Sequence, residues 1–173
     1  GKVLNSCLVF DPQGERVARY DKIHLFGFQK GAERYNESAT IEAGSQPVVF
    51  DAPFGRVGVS ICYDIRFPEL YRAQGAVDLQ IIPAAFTETT GRAHWEILLR
   101  ARAIENQCYV LAVAQGGKHE NGRETHGNSM LIDPWGIILD RLPKGPGVVV
   151  GDVDHARIAD VRASLPALKH RVM

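Results

Sequence analysis

An α/β fold, with two sheets packed together and helices outside, is what this sequence predicts. Three observations lead there. Strand-like and helical runs alternate, and no linker or low-complexity segment interrupts them across 173 residues, so a single domain is expected. Two hairpins share one pattern, Leu8-Val9-Phe10-Asp11-Pro12-Gln13-Gly14 and Leu131-Ile132-Asp133-Pro134-Trp135-Gly136. One lies before and one after a βαβα core, which suggests two similar halves, although Asp-Pro-x-Gly is also a common turn.

The elements follow in order. Residues 3–10 read as a strand, Asp11-Pro12-Gln13-Gly14 as a turn and residues 15–20 as the returning strand, because Pro second and Gly fourth suit a type I turn. Residues 24–46 are polar and without a sustained period, which predicts a long loop of the kind that usually serves function. Val48–Phe50 and residues 57–62 form strands around a turn at 51–55; the second is apolar enough to be covered on at least one face. Pro68-Glu69-Leu70 opens a helix that Gly75 can close, and residues 78–82 give the next strand. Over 93–107, Trp95, Leu98, Leu99 and Arg102 follow the helical i, i+3, i+4, i+7 spacing, with Glu96 and Arg100 as an i,i+4 pair. A strand at 109–114, the second hairpin to 141, a strand at 147–153 and a helix near 155–164 complete the chain.

Composition narrows the function. Lys plus Arg total 20 and Asp plus Glu total 20, so nothing in the net charge points to nucleic acid or an anionic membrane. No apolar run approaches the ~18 residues of a membrane span. Cys7, Cys62 and Cys108 are odd in number, widely spaced and without a Cys-x-x-Cys pair, which argues against a disulfide scaffold or a zinc site. No metal or organic cofactor is expected, and a soluble cytoplasmic protein is. The chain opens at Gly1 almost directly into a strand, from which we expect that the front of the protein is missing.

Chemistry concentrates at two places. Cys62 ends a buried strand just before a helix, the placement of a nucleophile elbow, where a helix N-terminus favours a thiolate; a buried structural cysteine is the plain alternative. Cys7 and Cys108 lie in apolar patterns and read as structural. A cysteine nucleophile needs a base and an oxyanion partner. None of the six histidines stands in a local cysteine-protease signature. Lys22, where a strand gives way to the long loop, is a candidate cation or a surface lysine.

Taken together, Tyr20-Asp21-Lys22-Ile23-His24-Leu25-Phe26 and Ile61-Cys62-Tyr63-Asp64-Ile65-Arg66-Phe67-Pro68-Glu69-Leu70 resemble the nitrilase or carbon–nitrogen hydrolase superfamily. The likeness continues through Pro83-Ala84-Ala85-Phe86, Ala93-His94-Trp95-Glu96, Arg100 to Asn106 and Asp133-Pro134-Trp135-Gly136, in family order over nearly the whole chain, and is strongest to the Nit-type amidases. The resemblance implies a four-layer αββα sandwich whose first βα units are absent here, residues 1–173 being the C-terminal two-thirds of the domain. It implies a Glu–Lys–Cys triad cleaving a small linear, carboxylate-bearing amide through a Cys thioester with release of ammonia. Cys62 matches the nucleophile. Lys22 matches the lysine that stabilises the oxyanion with the Tyr63 backbone N–H. Glu37 matches a second glutamate that orients the lysine, with Glu33 and Glu42 nearby. Family members associate through helices near the nucleophile, so a homodimer or larger assembly is expected.

Arg66 could meet a substrate carboxylate in bidentate fashion or fix the elbow by pairing with Asp64 or Glu69. Glu96 could face the site or merely pair with Arg100. The family's general-base glutamate precedes the lysine, and Asp11, Glu15 and Asp21 are the only acids before Lys22; none is placed for that task. Losing such a base costs roughly 10²–10⁴-fold, so residues 1–173 alone are expected to be inactive. Gly27 stands where an acid is frequent, and Asn128 where His is commoner. Hydrolysis of an N-carbamoyl amino acid, or a non-catalytic interaction module, would fit the same residues.

Overall fold

The computed structural model describes residues 1–172. Fourteen strands and three α-helices follow in chain order, joined by short 3-10 turns. The strands are β1 (Val3–Leu4), β2 (Ser6–Phe10), β3 (Arg16–Asp21), β4 (Gly27–Lys30), β5 (Glu33–Asn36), β6 (Ile41–Glu42), β7 (Val48–Ala52), β8 (Gly55–Val59), β9 (Leu79–Ala84), β10 (Tyr109–Ala114), β11 (Gly116–Lys118), β12 (Glu124–His126), β13 (Ser129–Ile132) and β14 (Ile138–Leu142). The helices are α1 (Pro68–Gln74), α2 (Glu88–Asn106) and α3 (His155–Ser164).

Six strands make one mixed sheet in the order β14-β13-β10-β9-β8-β7. Its centre is parallel, β8 with β9 and β9 with β10, while both flanks are antiparallel. Side chains alternate between the two faces of a strand, and each face is covered differently. Ile82, Val110, Ala112, Met130 and Ile132 join Leu70 and Tyr71 of α1 and Trp95, Leu99 and Ala103 of α2 in one buried cluster. Val57, Leu79, Tyr109 and Leu131 join Ile158 of α3 in another. The β2–β3 ribbon is a separate antiparallel pair whose Cys7, Val9 and Tyr20 pack into the first cluster.

The two look-alike hairpins carry the same bonds in their turns. Asp11 Oδ1 accepts from the N–H groups of Gln13 and Glu15, and Asp133 Oδ1 from those of Trp135 and Ile137. Gly14 donates to Asp11 O and Gly136 to Asp133 O, both glycines at positive φ, 83° and 85°. Each hairpin then carries a register shift beside its turn. The Asp carboxylate that ties two N–H groups explains why this tetrapeptide recurs.

Four expectations need correction. The first strand is split at Asn5, whose carbonyl accepts from the Lys22 N–H at 2.8 Å instead of joining a ladder; β1 pairs with β6 and β2 with β3. The predicted loop 24–46 contains the β4–β5 hairpin and β6. Residues 147–153 form no ladder. Val149 and Val153 still pack on the second cluster while Val148 and Val150 stay exposed, so the alternation is real but the backbone partner is not. The helix predicted from 93 begins at Glu88, with the Thr87 side chain accepting from the Thr90 N–H. Thr89, Thr90 and Gly91 are weak helix formers, and tertiary contact decides there. A Cβ on Gly91 would lie 2.3 Å from His126 Cβ. Gly91→Ala therefore lowers stability by about 1–3 kcal/mol despite its better helix propensity; an unchanged urea midpoint would refute this.

Candidate active site

The strand β8 leads through Ser60 and Ile61 to Cys62, which opens a 3-10 turn over Cys62–Arg66 before α1 begins at Pro68. Cys62 takes φ of 52°, a left-handed conformation that a non-glycine residue adopts at a cost. Such strain at a strand-to-helix elbow projects the side chain off the end of the sheet. There it borders a cavity of about 590 Å³ shared with Lys22, Glu37, Tyr63, Phe26, Phe86 and Arg123. Cys62, Lys22 and Glu37, far apart in sequence, thus meet on one cavity.

Lys22 is almost fully buried, 1% exposed, and its ammonium is held by the Glu37 carboxylate. The same Glu37 oxygen accepts from the Phe26 N–H at 2.6 Å. Glu37 stands at the first position of a 3-10 turn after β5, so the hairpin missed in the sequence is what delivers it. Of its competitors, Glu33 accepts from the Thr89 hydroxyl at 2.9 Å, and neither it nor Glu42 lines the cavity. Asp21, next to Lys22, accepts instead from Ser6 and Arg19, which hold its carboxyl below the usual range, the Ser6 hydroxyl foremost.

A buried carboxylate ties the lysine segment to the elbow. Asp64 is fully buried and accepts from the Tyr20 hydroxyl at 2.7 Å, the Ile61 N–H at 2.9 Å and the His24 N–H at 2.9 Å. His24 Nδ1 lies 2.8 Å from it; an ionised carboxylate only accepts, so Nδ1 carries the proton. The His24 ring stacks on Phe67 at 3.7 Å. Burial and the adjacent Asp64 carboxylate push the Tyr20 phenol well above its ordinary range, which keeps it a donor. The motif alone makes Asp64 a candidate partner for Arg66; the meeting on it of two segments 40 residues apart is a tertiary fact.

The net shift of the thiol is upward, opposite to the depression that a helix N-terminus alone would give. Burial raises the Cys62 pKa, against the smaller opposing pulls of the Ala85 backbone N–H and the Lys22 ammonium. At neutral pH the thiol form therefore dominates until a base takes the proton. Cys7, read as structural, also borders the cavity; Cys108 is buried and its thiol is pushed up to about 12, as expected of an inert core cysteine.

Neither substrate-binding candidate is among the residues that border the cavity, although Arg66 packs on two that are. Arg66 packs over the Tyr63 and Phe86 rings, at 5.7 and 5.4 Å, with its Nη atoms 3.3 Å from His94 Nδ1. It pairs with neither Asp64 nor Glu69, and it does not border the cavity. Glu96 binds Arg141 of β14 at 2.5 Å and Arg100 at 3.8 Å, also away from the cavity. Arg123 does border it, and no feature named in the sequence pointed to it. The Asn121-Gly122 pair before it is a strong hairpin signal that could have flagged β11–β12. Among the described residues no His, Cys, Asp or Glu cluster could hold a metal ion, and no helix is long and apolar enough to cross a membrane.

The chain is similar to known proteins over nearly its whole length. The chain is 49% identical to the deaminated glutathione amidase of Synechocystis over 178 residues, covering 99% of this chain and 65% of that relative. The crystal structure of the Caenorhabditis elegans NitFhit protein superposes with a TM-score of 0.88 at 43% identity, covering 99% of this chain and 42% of that one. A mutant amidase from Nesterenkonia sp. AN1, in which acrylamide has added to the active-site cysteine, superposes with a TM-score of 0.74 at 32% identity, covering 93% and 61%. The chain thus spans less than two-thirds of each of them. The carbon-nitrogen hydrolase family model matches residues 1–163, and with relatives this similar the chain belongs to that family.

Proposed function

We propose that the whole protein is an amidase that cleaves a small linear, carboxylate-bearing amide of the deaminated-glutathione or ω-amide type through a thioester on Cys62. The observation that carries this reading is the meeting of Cys62, Lys22 and Glu37 on one cavity. A cysteine is also the site of addition in the Nesterenkonia relative. The Cys62 thiolate attacks the amide carbon and the C=O pair moves onto oxygen. The Lys22 ammonium and the Tyr63 backbone N–H stabilise that oxyanion. Collapse breaks the C–N bond, the nitrogen takes a proton and leaves as ammonia from a primary amide, and water then cleaves the C–S bond.

Glu37 already accepts from Lys22 and from Phe26 N–H, which suits orientation of the lysine rather than removal of the thiol proton. We assign that proton to a glutamate of the whole protein outside residues 1–173, as the resemblance implies. A homodimer or larger assembly belongs to the same reading, supported by Ile97 and Ile104 standing exposed on α2, and so does a cytoplasmic setting.

The test is acid-quenched mass spectrometry of the whole protein during turnover of glutaramate. Ammonia release with an acyl adduct on the Cys62 peptide is expected. Ammonia release with Cys62 never acylated would overturn the mechanism, and no hydrolysis of any such amide would overturn the activity.

A further inference from the structure

Within the cavity, charge is unevenly compensated. Lys22 is paired with Glu37, and Glu37 is the one carboxylate among the described lining residues. Arg123 is the other lining cation, and no carboxylate among the described residues pairs with it. Its Nη2 donates to the Ala85 carbonyl at 2.7 Å, its guanidinium lies 5.4 Å from the Tyr35 ring centroid, and its Nε is buried without a partner. The carbonyl and the ring hold the planar group still, which leaves Nη1 and the second Nη2 proton for a ligand. Ala85, whose carbonyl holds Arg123, lines the same cavity as Cys62.

From this we propose that Arg123 is the specificity-determining residue that receives the substrate carboxylate, an inference that rests on the amidase reading of the cavity. The two hairpins β4–β5 and β11–β12 then form a recognition edge, Tyr35 supporting the guanidinium from one and Arg123 reaching in from the other. A fixed guanidinium matches a carboxylate through two parallel charge-assisted bonds. A held guanidinium that no carboxylate of the described residues pairs with admits an anionic amide and gives a neutral one nothing in exchange for desolvating its charge.

The test uses the full-length protein with glutaramate and with pentanamide, which carries a methyl group in place of the carboxylate. In Arg123→Gln, kcat/KM for glutaramate falls about 10²-fold, mostly through KM, and the preference for glutaramate over pentanamide shrinks by a similar factor. Arg123→Lys keeps part of that preference. A wild-type preference retained in Arg123→Gln would overturn the proposal. A second readout needs no turnover: protection of Cys62 from iodoacetamide by glutarate. Arg123→Gln requires at least about 10-fold more glutarate for equal protection; equal protection at wild-type concentrations would overturn the carboxylate site. If glutarate protection depends on Arg123 while no amide is hydrolysed, the anion site stands and the amidase reading falls.

Discussion

Lys22→Met lowers kcat for amide hydrolysis by about 10³-fold in the whole protein while KM changes little. Methionine has nearly the shape of the lysine stem, so the buried site refills and only the ammonium is lost. Two effects then add. The oxyanion loses a charged donor, and a single neutral donor is already worth about 10²–10³-fold in such sites. The thiol also loses the nearby positive charge that pulls its pKa down against burial. The sign follows directly: with Lys22 gone the thiol pKa rises further, the thiolate fraction at any fixed pH drops, and the profile of Cys62 alkylation by iodoacetamide moves to higher pH. Lys22→Arg does not rescue, because the planar guanidinium cannot occupy a pocket 1% exposed and filled by an ammonium. Stopped-flow or steady-state rates together with the alkylation profile check this; a Lys22→Met protein that retains wild-type kcat would remove the lysine from the mechanism.

Cys62 stands out in the sequence because an apolar run stops at it, whereas Lys22, after the mixed strand Arg16–Asp21, is singled out only by the resemblance. The helices at 68 and 155 and the strand at 109 were legible for the same local reason, caps and unbroken apolar runs. What stayed hidden depends on pairing between distant segments. The β4–β5 hairpin has alternation too short to stand out, yet it carries Tyr35 and leads into Glu37. Residues 147–153 show the opposite failure, since strand-like alternation predicts which side chains are buried and not whether a neighbouring strand is there to bond. Arg66 and Glu96 were chosen by proximity in sequence to the nucleophile and to a motif. In space Arg66 meets His94 and Glu96 meets Arg141, contacts that their neighbours in the sequence do not foretell.

Asp64→Ala tests whether the elbow and the lysine are held as one unit. The carboxylate is fully buried, and its loss leaves the Tyr20 hydroxyl and the backbone N–H groups of Ile61 and His24 without acceptors. Bonds to a charged group contribute about 1.5–3 kcal/mol each, and stranded buried donors cost about 1–3 kcal/mol; partial relaxation and water entry bring the expected net loss to about 4 kcal/mol. Asp64→Asn retains one acceptor oxygen but turns an NH₂ toward groups that themselves donate, so it recovers only part of that stability. Tyr20→Phe, which removes one bond and keeps the ring, costs about 1–2 kcal/mol. Below their own unfolding midpoints these variants still differ from wild type in rate, because Tyr20 and His24 flank Lys22 in sequence and Ile61 precedes Cys62. Loosening Asp64 therefore lets the ammonium and the sulfur drift relative to each other. The signature is a fall in kcat larger than any change in KM, graded in the order Tyr20→Phe, Asp64→Asn, Asp64→Ala. A folded Asp64→Ala protein with wild-type kcat would show that the Lys22–Cys62 geometry is set by the sheet alone.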